Sequence, residues 1–172
     1  MEENRKRFET MAAGVFTKEQ IDRLEKMNFF TLPASIGHHG KQKGDLYVHS
    51  LLMYLLLRDW TKEGNITWEK ERSPMVIAFL HDLCKTEDYI ATEDGFSYNQ
   101  EKLLSGHGEK SVIMALQLFP NLTDEEIMCI RYHIGAYEGE KSWKNLENAI
   151  KKYPNILWVH HADMIVSQIW GI

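Results

Sequence analysis

The chain has 172 residues, 44% of them hydrophobic and 26% charged, with a formal net charge of -5 at pH 7. That length and apolar content support a single domain over 1–172 with a core of its own, and exclude disorder as the default state. The mildly acidic balance excludes broad, non-specific binding to long duplex nucleic acid, which needs a basic face.

In chain order, residues 1–7 are charged and run into no apolar stretch, unlike a secretory leader. Thr17 with Gln20 forms a capping box for a helix over 18–29, and 1–30 reads as an N-terminal helical extension. Asp45 precedes a helix that carries His49, Leu52, Leu55, Leu56 and Trp60 on or near one face. Its apolar run, 51–57, is far shorter than the roughly 20 residues needed to span a bilayer, so no membrane association is expected. Ser73-Pro74 is a start signal, an N-cap followed by proline at the first helical position, for a helix over 74–85 that is apolar as far as His81-Asp82. Asp94-Gly95, between Tyr89-Ile90 and Phe96-Ser97-Tyr98, predicts a loop or a small hairpin. Gly106-His107-Gly108 begins a helix that ends before Pro120, and Thr123 with Glu126 is a second capping box, for a helix to about 136. Ser142 caps a short helix over 143–152, Pro154 breaks it, and Asn155 starts a last helix over 156–169. The sequence contains no internal repeat, low-complexity tract or linker. Six or seven helices with almost no strand make the expected fold all-α, a compact helical bundle.

Histidine is the informative residue type. There are eight: His38, His39, His49, His81, His107, His133, His160 and His161. Four stand at helical positions on different predicted helices, His81 is followed at once by Asp82, and Asp163 lies beside the apolar run Met164-Ile165-Val166. Imidazole and carboxylate are the usual protein ligands of zinc, iron and manganese, and bundles assemble two-metal centres from several helices. Neighbours on a helix are about 100° apart, so a vicinal His-Asp pair reaches two sides of one ion, or bridges two ions through its carboxylate. Any one of these histidines taken alone reads better as a surface or hydrogen-bonded core residue. A carboxylate in apolar surroundings is costly unless paired or metal-bound, and Asp82 and Asp163 therefore shift the joint reading towards metal. Lys85, four residues after His81, falls roughly 40° around the helix and is placed to meet a phosphate or leaving group; the plain alternative is an interaction with the helix dipole.

Read in order, His49, His81-Asp82 and Asp163 resemble the H…HD…D pattern of the HD-domain metal-dependent phosphohydrolase superfamily. His107 and His133 fall where the binuclear branch has its extra ligands, and His81-Asp82-Leu83-Cys84-Lys85 is similar to that branch's HD-x-x-K signature. The approach Pro33-Ala34-Ser35, His38-His39, Gly44-Asp45-Leu46, His49 is similar to that of HD proteins related to 3′-5′ exoribonucleases and relaxase-associated helicase domains. The resemblance covers about 33–167. It departs at Ile134, where binuclear members often have a second adjacent histidine, which leaves the filling of the second site open; and the chain has no room for the separate nucleic-acid-binding domain of the exonuclease relatives.

The resemblance implies one or two divalent metal ions (Mn, Fe, Zn, Mg or similar). His49, His81, Asp82 and Asp163 hold the first, and Asp82, His107 and His133 the second, with Asp82 bridging. It implies a hydrolase in which a metal-activated water attacks a nucleotide-type phosphoester, and Lys85 neutralises the phosphoryl charge; the cytoplasmic location expected for it rests on the two cysteines, which read as reduced thiols. The expected substrate is a small nucleotide or a short oligonucleotide. His38 and His39, just before the first ligand helix, are candidates to contact the substrate phosphate, and one of His160 and His161 is a candidate to bond Asp163 at i, i+3. Two other enzyme and non-enzyme readings fit the same ligands: a di-iron oxygenase of this fold, and a non-catalytic nucleotide-binding module.

Several features carry no chemistry. Gly106-His107-Gly108-Glu109-Lys110-Ser111 ends like a phosphate loop, but Leu104 and Glu109 stand where that loop needs glycine. Cys84 and Cys129 form neither a CxxC pair nor a disulfide framework and read as reduced, inert packing residues. The five tryptophans read as core and rim packing.

Overall fold

Both capping boxes form. Thr17 and Gln20 exchange side-chain and main-chain hydrogen bonds at the start of α2 (Lys18–Lys26), as do Thr123 and Glu126 at the start of α7 (Asp124–Tyr132). The computed structural model describes residues 2–37 and 40–172. Among these, the remaining helices are α1 (Glu2–Met11), α3 (Asp45–Lys62), α4 (Ser73–Leu80), a single turn α5 (Lys85–Asp88), α6 (Gly108–Leu118), α8 (Glu140–Lys152) and α9 (Asn155–Met164). The fold is mostly helical, as the sequence pattern predicts, with more helices than the six or seven expected, and with one small antiparallel hairpin of β1 (Tyr89–Thr92) and β2 (Gly95–Tyr98). Thr92 pairs with Gly95, so the turn is Glu93-Asp94, one residue earlier than Asp94-Gly95. No helix among the described residues is long and apolar enough to cross a membrane.

Every residue of α4 is buried, which is what a helix apolar on all sides requires. It packs on α3, α6 and α7, and α9 closes against α3 and α7. The N-terminal segment takes part in this core. Phe8 of α1 is fully buried, with its ring centroid 4.6 Å from Phe79 of α4 and close to Phe16, Phe30 and Tyr47.

Two helices stop short of expectation, α2 at Lys26 rather than 29 and α7 at Tyr132 rather than about 136, and four further local expectations fail for physical reasons. The helix predicted over 74–85 ends at Leu80, because the bonds that follow tighten: Leu83 N–H reaches Leu80 O, Lys85 N–H reaches Asp82 O and Thr86 N–H reaches Leu83 O. Ser73 is not a cap; its hydroxyl donates to the buried Glu126, and Arg72 precedes the helix. Ser142 lies inside α8, which starts after Gly139 at φ 85. The last helix is regular only to Met164 and continues as a π-helical turn, Ile165–Ile169.

Candidate metal centre

The tightened turn after α4 sets Asp82 at the middle of four imidazoles. His49 comes from α3, His81 from the end of α4, His107 from the residue before α6 and His133 from the end of α7; Asp163 comes from the last turn of α9. His49, His81 and His133 are fully buried, and Asp82 is 5% exposed.

The outer edges of the rings are committed. Nδ1 of His49 donates to the main-chain oxygen of Ile172 (2.9 Å), that of His81 to Ala78 O (2.9 Å) and that of His133 to Ile130 O (2.7 Å). A carbonyl only accepts, so these three rings carry a proton on Nδ1 and, when neutral, present a bare lone pair on Nε2. Nδ1 of His107 lies 3.2 Å from Cys84 Sγ.

The inner edges converge. Nε2 of His49 is 3.2 Å from Nε2 of His81 and 3.2 Å from Asp163 Oδ1. Asp82 receives the rest: His107 Nε2 is 2.8 Å and His133 Nε2 3.6 Å from its Oδ1, while His81 Nε2 is 3.6 Å and His49 Nε2 3.9 Å from its Oδ2. Asp82 Oδ1, though paired with His107 at 2.8 Å, and His133 Nε2 are both buried without a geometrically formed hydrogen bond. Three groups, His49/His81/Asp163, His81/Asp82/His133 and Asp82/Cys84/His107, each bring donor atoms within 4.8 Å of one another, close enough to share one ion.

The electrostatics suit a cation. Burial pushes the His81 pKa down to about 3, so this ring is neutral. Burial opposes charge on His49 too, but its hydrogen bond to Asp163 and the charges of Asp163 and Asp82 outweigh it and raise its pKa. Burial likewise opposes charge on both carboxylates. Lys85 above all, with the contact from His107, holds Asp82 well below the usual range, and His49 does the same for Asp163. Burial, then Asp82, pushes the Cys84 thiol up to about 12.

Lys85 reaches the same place by another route than the one expected. It begins the separate turn α5, donates to Ala34 O at 2.5 Å, and stands 3.7 Å from Asp82 Oδ2. Burial opposes its charge, but Asp82 raises its pKa, so it stays a cation. Asp82, Lys85, His107 and Asp163 open on a cleft of about 270 Å³ whose other walls are Ile134, Tyr137, Met164, Ser167 and Gln168.

All six expected ligands, and Lys85, are thus brought together. His38 and His39 lie outside the described residues. His160 does not bond Asp163: its Nδ1 donates to His133 O at 2.7 Å, under Gly135, where an added Cβ would come 2.7 Å from the ring. His161 donates to Leu157 O within its own helix. Cys84 is a correction, since it contacts His107 rather than serving only as packing. Tyr137, Ser167 and Gln168 have no signature in the sequence; only the π-helical turn and the short 3-10 segment Gly135–Glu138 bring them to the cleft. Comparisons of the chain with protein-family models, with curated proteins and with solved structures find no match.

Proposed function

We propose that this chain is an HD-type metal-dependent phosphohydrolase acting on a small nucleotide-type phosphoester. The observation that carries the reading is the orientation of the imidazoles. Three Nδ1–H groups are bound to main-chain oxygens on the outside, and all four Nε2 atoms turn inward on two carboxylates. Outer-edge hydrogen bonds of this kind fix the tautomer and direction of metal-binding histidines. The buried, unpartnered Asp82 Oδ1 and His133 Nε2 fit the same use, because a buried polar atom without a partner is costly and a cation satisfies both.

His49, His81, Asp82 and Asp163 would hold a first divalent ion, and Asp82, His107 and His133 a second. Bound there, divalent ions supply Lewis acidity to a phosphoryl oxygen and acidify a water. The protein's own part is binding and charge. Lys85 stays protonated beside Asp82 at the cleft and offsets negative charge gathered on the phosphoryl oxygens. The cleft of about 270 Å³ lies at the lower end of ligand-pocket sizes, which favours a small phosphoester over a polymer.

The test is elemental analysis of gently purified protein together with phosphate release from a panel of nucleotides, cyclic nucleotides and short oligonucleotides. Bound divalent metal and turnover, both lost in Asp82→Asn, are the expected result. Metal without turnover on any phosphoester would overturn the hydrolase reading, and oxygen consumption by an iron-loaded sample would redirect it to oxygenase chemistry.

A further inference from the structure

Three of the four imidazoles are held from outside by main-chain oxygens, and His107 is not. Among the described residues its Nδ1 faces a side chain, the Sγ of Cys84 at 3.2 Å. His107 is also the most open of the four, at 30% side-chain exposure against 0–1% for the others, so packing does not fix its ring. Gly106, at φ 83, turns the chain into it, and it stands one residue outside α6, beyond the regular helical bonds. Cys84, by contrast, is fully buried, and its main-chain N–H donates to the hydroxyl of Ser111 on α6 at 3.2 Å. The sulfur is a fixed point against which the ring of His107 rests.

We propose that Cys84 is the positioning residue for His107, and through it sets the affinity of the second metal position. The inference rests on the metal-centre reading above. That position is where the two buried atoms without a hydrogen-bond partner lie, Asp82 Oδ1 and His133 Nε2, and His107 Nε2 stands 2.8 Å from the first of them. Once a metal takes the place of a proton on Nε2, Nδ1 carries the ring proton and donates it to the sulfur, which leaves Nε2 facing inward like its three neighbours. Sulfur is a weaker acceptor than a carbonyl oxygen, so this ring is held less firmly. The second ion is therefore taken up after the first and leaves before it, and the difference is written in one replaceable side chain.

The experiment is a cobalt(II) titration of the metal-free full chain, as wild type, Cys84→Ala and Cys84→Ser, with circular dichroism to confirm folding. Wild type is expected to bind two equivalents, the first more tightly. Cys84→Ala should weaken the second equivalent by about 10- to 100-fold, the usual effect of losing an outer partner of a metal ligand, and leave the first unchanged. Cys84→Ser, which keeps an acceptor at the same place, should recover most of the loss. Equal weakening of both equivalents, or no weakening in Cys84→Ala, overturns the proposal. So does a thiolate-to-cobalt charge-transfer band in wild type, which would make Cys84 a ligand itself. If the cysteine variants do not fold, nitrogen-15 NMR of the wild-type histidines loaded with two equivalents of zinc decides: His107 protonated on Nδ1 with Nε2 metal-bound is expected, and a proton retained on Nε2 is the overturning result. Failure of the wild type to take up any cobalt is a different outcome, since it removes the metal centre and this inference with it, before any variant is compared.

Discussion

The Nε2 atoms of His49 and His81 stand 3.2 Å apart, although each ring already spends its Nδ1 proton on a main-chain oxygen. Two bare lone pairs repel at that distance, so something positive must lie between or beside them. A proton can meet that need, and His49 is the better placed of the two to hold it: Asp163 and Asp82 outweigh burial and raise its pKa, whereas burial pushes the His81 pKa down to about 3. On the proposed reading a divalent ion would compete with such a proton for the same lone pair, and the pH behaviour of the centre would follow from that competition.

Metal binding should therefore release protons. Calorimetry of cobalt(II) or zinc(II) binding near pH 6, in buffers of differing ionisation enthalpy, should give an apparent enthalpy that depends on the buffer. Affinity should rise by up to about tenfold per pH unit until the raised pKa of His49 is passed. Buffer-independent enthalpies would show that His49 is not protonated in the free protein.

Acid should unfold the metal-free protein earlier than its carboxylates alone would dictate, and His81 is the reason. Its pKa is about 3 when folded, against 6.5 for an unperturbed histidine. Between those values the unfolded chain binds a proton that the folded chain refuses, so stability falls as pH drops from 6.5 towards 3. The contribution at full extent is on the order of 5 kcal/mol. His49 acts in the opposite sense. With its folded pKa raised, it adds stability that is fully present below 6.5 and is lost as pH rises through the folded value. Asp82 and Asp163, with lowered pKa values, add stability above about 3.8 that disappears on stronger acidification. Urea midpoints measured from pH 7.5 to 4 should decline more steeply in wild type than in His81→Asn; parallel curves would contradict the assignment.

The approach of α6 to α7 is set by a missing side chain. A Cβ added at Gly108 would overlap the main-chain oxygen of Arg131 on α7, and Gly108 follows His107 directly. Gly108 is the first residue of α6, where alanine gains less than the ~1 kcal/mol of a helix interior, and the overlap forces the helices apart, with a typical overpacking cost of about 1–3 kcal/mol. We expect a lower thermal midpoint and, because His107 moves with the helix, loss of the second equivalent of metal. An alanine variant as stable as wild type, with both equivalents intact, would mean that the two helices can separate without disturbing the site.

Features written in local chemistry were legible in the sequence, and those written in packing were not. The capping boxes at Thr17 and Thr123, the hairpin around Asp94 and the start of α3 at Asp45 each depend on residues within a few positions. The candidate ligands stood out jointly rather than singly, because several histidines on different helices together with aspartates in apolar surroundings are costly without a shared partner. The break after Leu80 was hidden, since nothing in 81–85 is a helix breaker; the tightened bonds come with the placement of Asp82 among rings from three other helices. Ser73 looks like a cap until Glu126 arrives from 53 positions away. Phe8 looks like one apolar residue in a charged helix, and only the fold shows it against Phe79. Cys84 looked inert because its partner, His107, lies across the turn and the hairpin.

Lys85 offers the sharpest separation of metal binding from chemistry. Its ammonium is 3.7 Å from Asp82 Oδ2, lines the cleft, and is anchored on Ala34 O rather than on a ligand ring. Lys85→Gln keeps a donor for Ala34 O and most of the side-chain length, but removes the charge. Two consequences should diverge. Metal uptake should hold or improve, since a cation beside an Asp82 ligand opposes a second cation. If the chain hydrolyses a phosphoester as proposed, turnover should fall, because the charge proposed to offset the phosphoryl oxygens is gone; removing one such electrostatic group typically costs about 10²–10³-fold in kcat. Metal stoichiometry and steady-state kinetics on the same preparations are the measurement. A variant that loses metal and turnover together would make Lys85 a structural support of Asp82, and one that keeps both would remove it from the site.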